Sequence, residues 1–128
     1  IDGLHLADQV DRDIDNALNF IKEDGFILLH DCNPPSEWHA RENYYFNYSP
    51  ALSSWNGTVW KAFYKKRISK NIYSCCIDTD WGIGVISKTK NLGKSAKHTN
   101  KFFEFKRFEE NRVEHLNLIS FKDFKKLL

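Results

Sequence analysis

The sequence predicts an α/β fold: two parallel strands joined by a crossover helix, a closing antiparallel hairpin, and a helical tail. Three patterns predict it. Apolar residues recur with helical spacing near the start, an uninterrupted apolar run follows, and two later β-rich runs are separated by a short turn. The chain has 128 residues, of which 41% are hydrophobic, enough for a packed core. We assign residues 1–90 to the α/β unit and residues 91–128 to a helical C-terminal extension.

The first helix and strand are predicted from residues 6–30. Over residues 6–22 apolar side chains recur at spacings of three and four with charged residues between them, which predicts an amphipathic helix. Gly25 is a natural stop after such a helix. The following run "FILLH" predicts a short strand buried on both faces. Because the residues before the helix resemble the end of a strand, the order strand, helix, strand predicts a parallel pair.

A long loop is predicted after this strand. The segment "CNPPSEWHARENYYFNYSPALSSWNG" is too long for an ordinary connection, which is typical of a loop with a function. Its aromatic side chains either line a pocket for an acceptor molecule or attach the loop to the body of the protein, and the sequence leaves both open. These side chains are Trp38, Tyr44, Tyr45, Phe46, Tyr48 and Trp55.

The rest of the α/β unit is predicted as one helix and one hairpin. The segment "TVWKAFYKK" has helical spacing, with Asn56 or Thr58 available as its cap. Residues 72–77 and 82–87 are predicted strands joined by the tight turn "DTDWG", and we place this hairpin at the edge of the sheet. At least one of the adjacent Cys75 and Cys76 is expected to be buried. Three aromatic residues are expected in the core: Trp60, Phe63 and Trp81.

The tail is predicted to be mostly helical. It consists of "FFEFKRFEENRVEHLNLIS" and "FKDFKKLL", and Ser120 with Asp123 forms a candidate capping box for the last helix. His98 and His115 belong to no recognisable motif, so we expect both at the surface.

Charge is unevenly distributed along the chain. Residues 1–60 carry 3 basic and 10 acidic side chains, and residues 61–128 carry 16 basic and 7 acidic ones, for a net charge of +2. A basic half is able to attract nucleic acid or anionic lipid. Its lysines are spread rather than clustered, so we favour a solvated surface and expect neither partner.

The sequence also bears on location. It has no apolar run near the roughly 18 residues of a membrane span, and no secretory leader. The three cysteines are odd in number and two are adjacent, which fits neither a disulfide framework nor a CxxC zinc motif. We expect a cytoplasmic protein.

Candidate site residues follow the two predicted parallel strands. Asp2 comes just after the first, and His30 with Asp31 ends the second, so all three should lie where open α/β sheets bind ligands. The two carboxylates suit a hard cation such as Mg²⁺, or one of them acts as a general base. Ligation by His5 or His30 would instead favour a transition metal. The alternative is that both Asp residues only cap loops.

These segments resemble a known enzyme family. The order "IDGLH", helix, "DGFILLHD" resembles the fourth strand, the next helix and the fifth strand of class I S-adenosylmethionine-dependent methyltransferases, of the small-molecule type related to macrocin and catechol O-methyltransferases. "GTVWKAF" and "DTDWGIGVI" resemble the fifth helix and the closing strands six and seven, so the resemblance covers residues 1–88. It implies the carboxyl half of a Rossmann-like methyltransferase fold and methyl transfer from S-adenosylmethionine to a small-molecule hydroxyl.

The resemblance also implies residue roles. In metal-dependent members, acidic residues after the fourth and fifth strands bind Mg²⁺ and orient the acceptor hydroxyl, and here Asp2 and Asp31 match them. The neighbours of Asp31, His30 and Cys32, depart from the usual carboxylate or amide. Without a metal, His5 or His30 would take the hydroxyl proton. The implied catalytic residues are Asp2, His5 and His30, and the implied metal ligands are Asp2 and Asp31.

The family binds its cofactor mainly through its first three strands, and no strand–GxGxxG–helix segment occurs here. Because the chain begins at Ile1 without Met, we expect a fragment that lacks this N-terminal half. Two alternatives remain. One is a non-catalytic, homodimerising module derived from the fold, and the other is a metal-dependent enzyme that uses His5, His30, Asp31 and His39.

Overall fold

The computed structural model describes residues 1–45 and 48–128 and has a mixed α/β fold. Phe46, one of the aromatic loop residues considered above, lies outside the described residues. The helices are α1 (Ala7–Phe20), α2 (Val59–Ile68), α3 (Phe105–Glu110), α4 (Arg112–Leu116) and α5 (Phe121–Leu127). The strands are β1 (Phe26–Leu29), β2 (Tyr73–Ile77), β3 (Ile83–Ser87) and β4 (Leu118–Ile119).

The four strands form one mixed sheet in the order β1-β3-β2-β4. β3 pairs antiparallel with both β1 and β2, and β4 pairs parallel with β2. The predicted hairpin is therefore confirmed, but its placement at the sheet edge was wrong. β1 and β2 flank β3, and the short strand β4 from the tail extends the sheet beyond β2.

The sequence predicts that the segment before α1 pairs in parallel with β1, and this pairing is present at Ile1. The backbone nitrogen of Ile1 donates to the carbonyl of Leu28 at 2.6 Å, and that of His30 donates to the carbonyl of Ile1 at 3.1 Å. Two such bonds to alternate residues of one strand are the pattern of a parallel pair. Ile1 thus lies alongside β1, and α1 connects the two.

β1 is buried on one face, so the prediction of burial on both faces was wrong. Ile27 and Leu29 are buried, whereas Phe26 is 37% and Leu28 is 53% exposed. The first pair packs in the cluster formed with α1 and α2. On the opposite face of the sheet, Phe124 of α5 packs with residues of β2 and β3 but leaves Phe26 and Leu28 of β1 exposed. The exposure of one face of β1 therefore depends on where α5 packs, and α5 lies far from β1 in the sequence.

The main core lies between the sheet and the helices α1 and α2, and the tail contributes to it. Trp60 and Phe63 of α2 are buried there, as expected. Phe108 of α3 and Leu116 of α4 join the same cluster. The tail therefore packs against the α/β unit.

Two predictions of burial were wrong. Trp81 is 42% exposed because it lies in the turn between β2 and β3, where its φ is 62°. His115 is fully buried, with its ring against Tyr64 at a centroid distance of 4.4 Å. His98 is exposed, as expected. Cys75 and Cys76 are both buried, since the two faces of β2 are both covered.

The described helices include none that is both long and apolar enough to cross a membrane. The longest, α1, has 14 residues, whereas a span requires about 20.

Candidate metal centre

Four side chains from the two sequence segments meet beyond the end of β1. His5 Nε2 lies 3.4 Å from Asp2 Oδ1 and 3.3 Å from Asp31 Oδ2. His30 Nδ1 lies 3.7 Å from Asp2 Oδ1 and 3.0 Å from Asp31 Oδ2. We call these four residues the Asp–His cluster. Each histidine presents one nitrogen to both carboxylates, so the residues singled out in the sequence are brought together.

Asp31 is the buried member of the cluster. Its side chain is 8% exposed, whereas that of Asp2 is 64% exposed. The backbone of Asp31 has a φ of 64°, in the left-handed region that Asp tolerates better than most residues. Asn56 Nδ2 donates to Asp31 Oδ1 at 2.8 Å. This leaves Oδ2 of the same carboxylate facing the two histidines.

The orientation of His5 is set by Trp55. His5 Nδ1 lies 2.8 Å from the backbone carbonyl oxygen of Trp55, and its ring stacks on the indole at 5.1 Å between centroids. A carbonyl oxygen only accepts hydrogen bonds, so Nδ1 carries the proton. In the neutral ring, the lone pair is then on Nε2, which faces Asp2 and Asp31.

The His30 ring lies between Asp31, 3.0 Å from its Nδ1, and Asp80, an exposed residue in the turn between β2 and β3. His30 Nε2 lies 3.3 Å from Asp80 Oδ2. The turn is attached to the segment after β1, because Cys32 N donates to the carbonyl of Gly82 at 3.0 Å and Asn33 N to that of Trp81 at 2.8 Å. Asp80 is thereby held beside His30.

The end of the long loop is fixed against the segment that carries His5. Thr58 N donates to the carbonyl of His5 at 2.8 Å, and Thr58 Oγ1 accepts from Ala7 N at 2.7 Å at the start of α1. At Gly57, whose φ is 60°, an added Cβ would lie 2.0 Å from the carbonyl oxygen of His5. Thr58 is thus the N-cap residue of α2, as one of the two predicted candidates, but its side chain binds Ala7 and that of Asn56 binds Asp31, so neither side chain caps the helix.

Arg41 organises the loop from within. Trp55 Nε1 donates to its carbonyl oxygen at 2.7 Å. Its guanidinium donates to four loop carbonyls at 2.6 to 3.1 Å, those of Trp38, Tyr44, Leu52 and Ser54. Among the aromatic loop residues, Trp55 attaches the loop to His5, while Tyr45 and Tyr48 are exposed. Their role in an acceptor pocket stays a prediction.

Burial and charge shift the pKa values of two cluster residues. Burial acts to lower the pKa of His30, but the carboxylate of Asp31, with smaller contributions from Asp2 and Asp80, raises it overall. Burial also raises the pKa of Asp31, and the charge of Asp2 adds to this, while His30 and His5 offset it in part. Ionised Asp31 is thus disfavoured in its site. A bound cation would relieve this cost.

Three contributors to the site did not emerge from sequence reasoning: Asp80, Trp55 through its carbonyl, and Asn56 as a partner of Asp31. The positive φ of 43° at Asp80 belongs to a turn of the type Asp and Gly favour, but no local signal links that turn to His30. His39 lies apart from the cluster contacts. Its Nδ1 is 2.9 Å from Ser36 Oγ, and its ring packs against Trp81.

Comparisons with protein-family models, curated proteins and solved structures found no match to this chain. The chemistry of the site therefore rests on its own donor atoms. Asp2, His30 and Asp31 offer ligand atoms that all lie within 4.8 Å of one another. This fits a divalent cation. The nitrogen donors fit Mg²⁺ poorly, because Mg²⁺ prefers oxygen ligands.

The described residues include no glycine-rich turn of the kind predicted for binding S-adenosylmethionine. Within residues 1–45 and 48–128, no strand leads through a glycine-rich turn directly into a helix. Gly82 lies in the hairpin turn with a φ of 88°, and Gly84 packs in β3 against Phe63. Both glycines therefore have structural reasons to be glycine.

Proposed function

We propose that this chain is the carboxyl half of a class I S-adenosylmethionine-dependent methyltransferase that acts on a small-molecule hydroxyl. The observation that carries the proposal is the convergence of Asp2 and Asp31 beyond the parallel pair of Ile1 and β1. This is the edge at which open α/β sheets bind their ligands.

The path of the chain supports the proposal. Residue 1 runs parallel to β1, α1 connects them, α2 follows, and the hairpin β2–β3 closes the sheet with β3 antiparallel to β1. This order of elements agrees with the order of segments on which the resemblance was based. Residues 91–128 would be an addition to that fold.

The cluster has the chemical groups that such a reaction needs. When bound, S-adenosylmethionine supplies an electrophilic methyl group, and the acceptor oxygen must be deprotonated and held in line with it. Exposed Asp2 is accessible to an acceptor, while buried Asp31 keeps a fixed position. A divalent cation held by the two carboxylates would lower the pKa of the bound hydroxyl. Without a cation, the inward nitrogen of His5 or His30 would take the proton.

The location we propose is the cytoplasm. Cys32, Cys75 and Cys76 are all free and buried. Free thiols are typical of proteins that work in a reducing compartment. Lysines of the basic half pair with acidic residues of the first half, for example Lys66 with Asp11 and Asp15, which agrees with a partner that is not nucleic acid.

One observation favours a second candidate function, a homodimerising module without catalytic activity. Phe26 and Leu28 expose apolar surface on the face of β1 that α5 leaves open, and Phe20 is 89% exposed nearby in the sequence. Such a module would sediment as a dimer and would have no affinity for the cofactor. Replacing Leu28 with Lys would then give a monomer.

The proposal is tested by cofactor binding and methyl transfer. We would titrate S-adenosylhomocysteine into this chain and into the longest product of its gene, and then assay methyl transfer by the product that binds. Asp2→Ala and Asp31→Ala are expected to reduce the rate by about 100-fold or more, since they remove groups that orient the acceptor.

Asp24→Ala, in the exposed turn between α1 and β1, is the matched control and should retain full activity. Absence of cofactor binding by every product of the gene would contradict the proposal. Full activity in Asp31→Ala would contradict the role given to the cluster.

A further inference from the structure

We propose that the Asp–His cluster is a site for a transition-metal ion of the zinc type rather than for Mg²⁺, and that Asp80 is the positioning residue that makes His30 a ligand. This inference rests on the proposed use of the cluster as a cation site. It does not depend on methyl transfer.

Each imidazole has a hydrogen-bond acceptor behind it. The outer nitrogen of His5 faces the carbonyl oxygen of Trp55, and the outer nitrogen of His30 faces the carboxylate of Asp80. Both outer partners accept hydrogen bonds, so each ring is able to keep one proton on its outer nitrogen when a cation replaces the proton between its inner nitrogen and the carboxylates. A carbonyl or carboxylate behind the ring is the usual support of a metal-binding histidine.

The spacing of the inward atoms also suits a metal ion. The ligand atoms of Asp2, His30 and Asp31 all lie within 4.8 Å of one another, with His30 Nδ1 3.0 Å from Asp31 Oδ2 and 3.7 Å from Asp2 Oδ1. His5 Nε2 lies 3.3 Å from Asp31 Oδ2 and 3.4 Å from Asp2 Oδ1. Ligands that lie about 2.0 to 2.2 Å from one ion are about 3.0 to 3.5 Å apart at tetrahedral or octahedral angles. The cluster is therefore close to binding geometry as it stands.

The types of donor atom favour a transition metal over Mg²⁺. Imidazole with carboxylate suits zinc, iron, cobalt or nickel, whereas Mg²⁺ takes oxygen ligands and retains several waters. One of the three donors that lie within 4.8 Å of one another is the nitrogen of His30, and His5 Nε2 lies beside both carboxylates. The exposed side at Asp2 leaves room for one more ligand, as catalytic zinc sites do.

Asp80 is placed for this role by a rigid turn. Asp80, Trp81 and Gly82 have consecutive positive φ values of 43°, 62° and 88°. A Cβ on Gly82 would lie 2.4 Å from the Cβ of Asn33, so the turn sits directly on the segment after β1. Asp78, at the start of the same turn, instead accepts from Asn33 Nδ2 at 3.4 Å. It is the matched control for Asp80.

The test is metal titration of the chain. We would measure Zn²⁺ and Mg²⁺ binding by calorimetry, and Co²⁺ binding by its visible absorption, which reports nitrogen ligation. The chain is expected to bind one Zn²⁺ about 100-fold or more tightly than Mg²⁺. Asp80→Ala should weaken Zn²⁺ binding by about 10- to 100-fold, the usual effect of removing such a support, and should change the Co²⁺ spectrum.

Two further variants separate orientation from charge and from general damage. Asp80→Asn keeps an oxygen that accepts from His30, so it should retain most of the affinity. Asp78→Ala should bind Zn²⁺ like the unaltered chain. Ala tolerates the φ of 43° at Asp80 less well than Asp or Asn does, so thermal unfolding without metal should be the same for Asp78→Ala and Asp80→Asn, and the Zn²⁺ affinity of Asp80→Asn separates the orientation of His30 from backbone strain. His30→Gln should lose the nitrogen contribution to the Co²⁺ spectrum.

Equal affinity for Zn²⁺ and Mg²⁺ would overturn the choice of metal. Unchanged Zn²⁺ affinity and an unchanged Co²⁺ spectrum in Asp80→Ala would overturn the role of Asp80. Zn²⁺ binding is measured without cofactor, so its success beside a failure to bind S-adenosylhomocysteine would refute the methyltransferase proposal and leave this one standing.

Discussion

At the scale of single residues, Asp31 combines three features that do not favour stability. It is buried, its backbone is left-handed, and its raised pKa means that ionisation is less favourable in the folded chain than in the unfolded one. A residue kept at such a cost is a candidate for function rather than for folding.

Asp31→Asn is expected to raise the free energy of unfolding in the absence of metal. A raised carboxyl pKa means that folding is opposed once the group is ionised, above its ordinary pKa, so removal of the charge should gain up to about 1 kcal/mol near pH 7. Asn tolerates left-handed backbone and still accepts from Asn56. Urea unfolding measures the change.

Asp31→Ala is the comparison for that prediction, because it loses both the left-handed tolerance and the hydrogen bond. It should be less stable than the unaltered chain by about 1 to 3 kcal/mol. If Asp31→Asn were equally destabilising, the carboxylate would be a stabilising group and the argument from cost would be wrong.

His115 should give the protein a pH-dependent stability. Burial lowers its pKa, and Glu114 offsets this in part. The unfolded chain therefore takes up a proton at higher pH than the folded chain, so stability is complete above the ordinary histidine pKa and falls as the pH drops below it. His115→Phe keeps the ring contact with Tyr64 and should lose this dependence in urea unfolding between about pH 7.5 and 5.5.

Thr99→Val is the control, because it removes the hydroxyl 3.1 Å from His115 Nε2 but leaves the titrating ring in place. His30, whose raised pKa acts in the opposite direction, is present in all three proteins and cancels in the comparison. An unchanged pH dependence in His115→Phe would contradict the assignment to His115.

At the scale of elements, local pattern was sufficient for the existence of most helices and strands. The period of α1, the apolar run of β1, the helix α2 and the hairpin were found to within a few residues, and Ser120 Oγ accepts from Asp123 N as predicted for α5. The errors concern placement. Exposure of β1 and the position of the hairpin depend on α5 and β4, whose partners lie far away in the sequence.

Gly84 shows how closely the elements pack. An added Cβ would lie 2.7 Å from Cys32 Sγ and 2.9 Å from Phe63 Cε2, both in the core. We expect Gly84→Ala to lower the free energy of unfolding by about 1 to 3 kcal/mol through overpacking. Chemical denaturation measures it.

Gly3→Ala is the control for Gly84→Ala, since an added Cβ at Gly3 meets nothing within 4 Å. Its stability should stay within about 0.5 kcal/mol of the unaltered chain. Equal effects at both glycines would contradict the packing argument.

At the scale of the whole molecule, ion pairs between the acidic first half and the basic second half partly neutralise their unequal charges. Lysines of α2 and the segment after β3 pair with acidic residues of the first half. The pairs are Lys61–Glu42, Lys65–Asp11, Lys66–Asp11, Lys66–Asp15 and Lys88–Glu23. The sequence indicated a solvated basic surface, but not these pairs, because opposite charges on α1 and α2 meet only once the helices pack.

Lys66→Met should reveal the contribution of these pairs. Its ammonium lies 2.8 Å from Asp11 and 2.6 Å from Asp15, and both carboxylates raise its pKa against the lowering effect of burial. We expect a loss of about 1 kcal/mol in unfolding free energy at low salt and a smaller loss at about 1 M NaCl, because salt screens the pair.

Lys70→Met, at an exposed position just after α2, is the control and should be within about 0.5 kcal/mol at either salt concentration. A Lys66→Met loss that does not change with salt would indicate packing of the lysine stem instead of charge.

The sequence predicted the candidate ligand residues of the site but not the residues that contact the outer nitrogens of its histidines. Asp2, His5, His30 and Asp31 follow strands or lie just beside them, so the rule for parallel sheets was enough to bring them together. Trp55 and Asp80 reach the site through a long loop and a turn between other strands, and sequence spacing contains no information about either approach.

The stacking of Trp55 on His5 also provides an optical reporter. The indole of Trp55 lies 5.1 Å from the ring of His5, so a paramagnetic ion such as Co²⁺ bound at the cluster should quench its fluorescence. The core indole of Trp60 is fully buried under the helices and supplies a reference emission. The unlabelled protein thus signals occupancy of its own site.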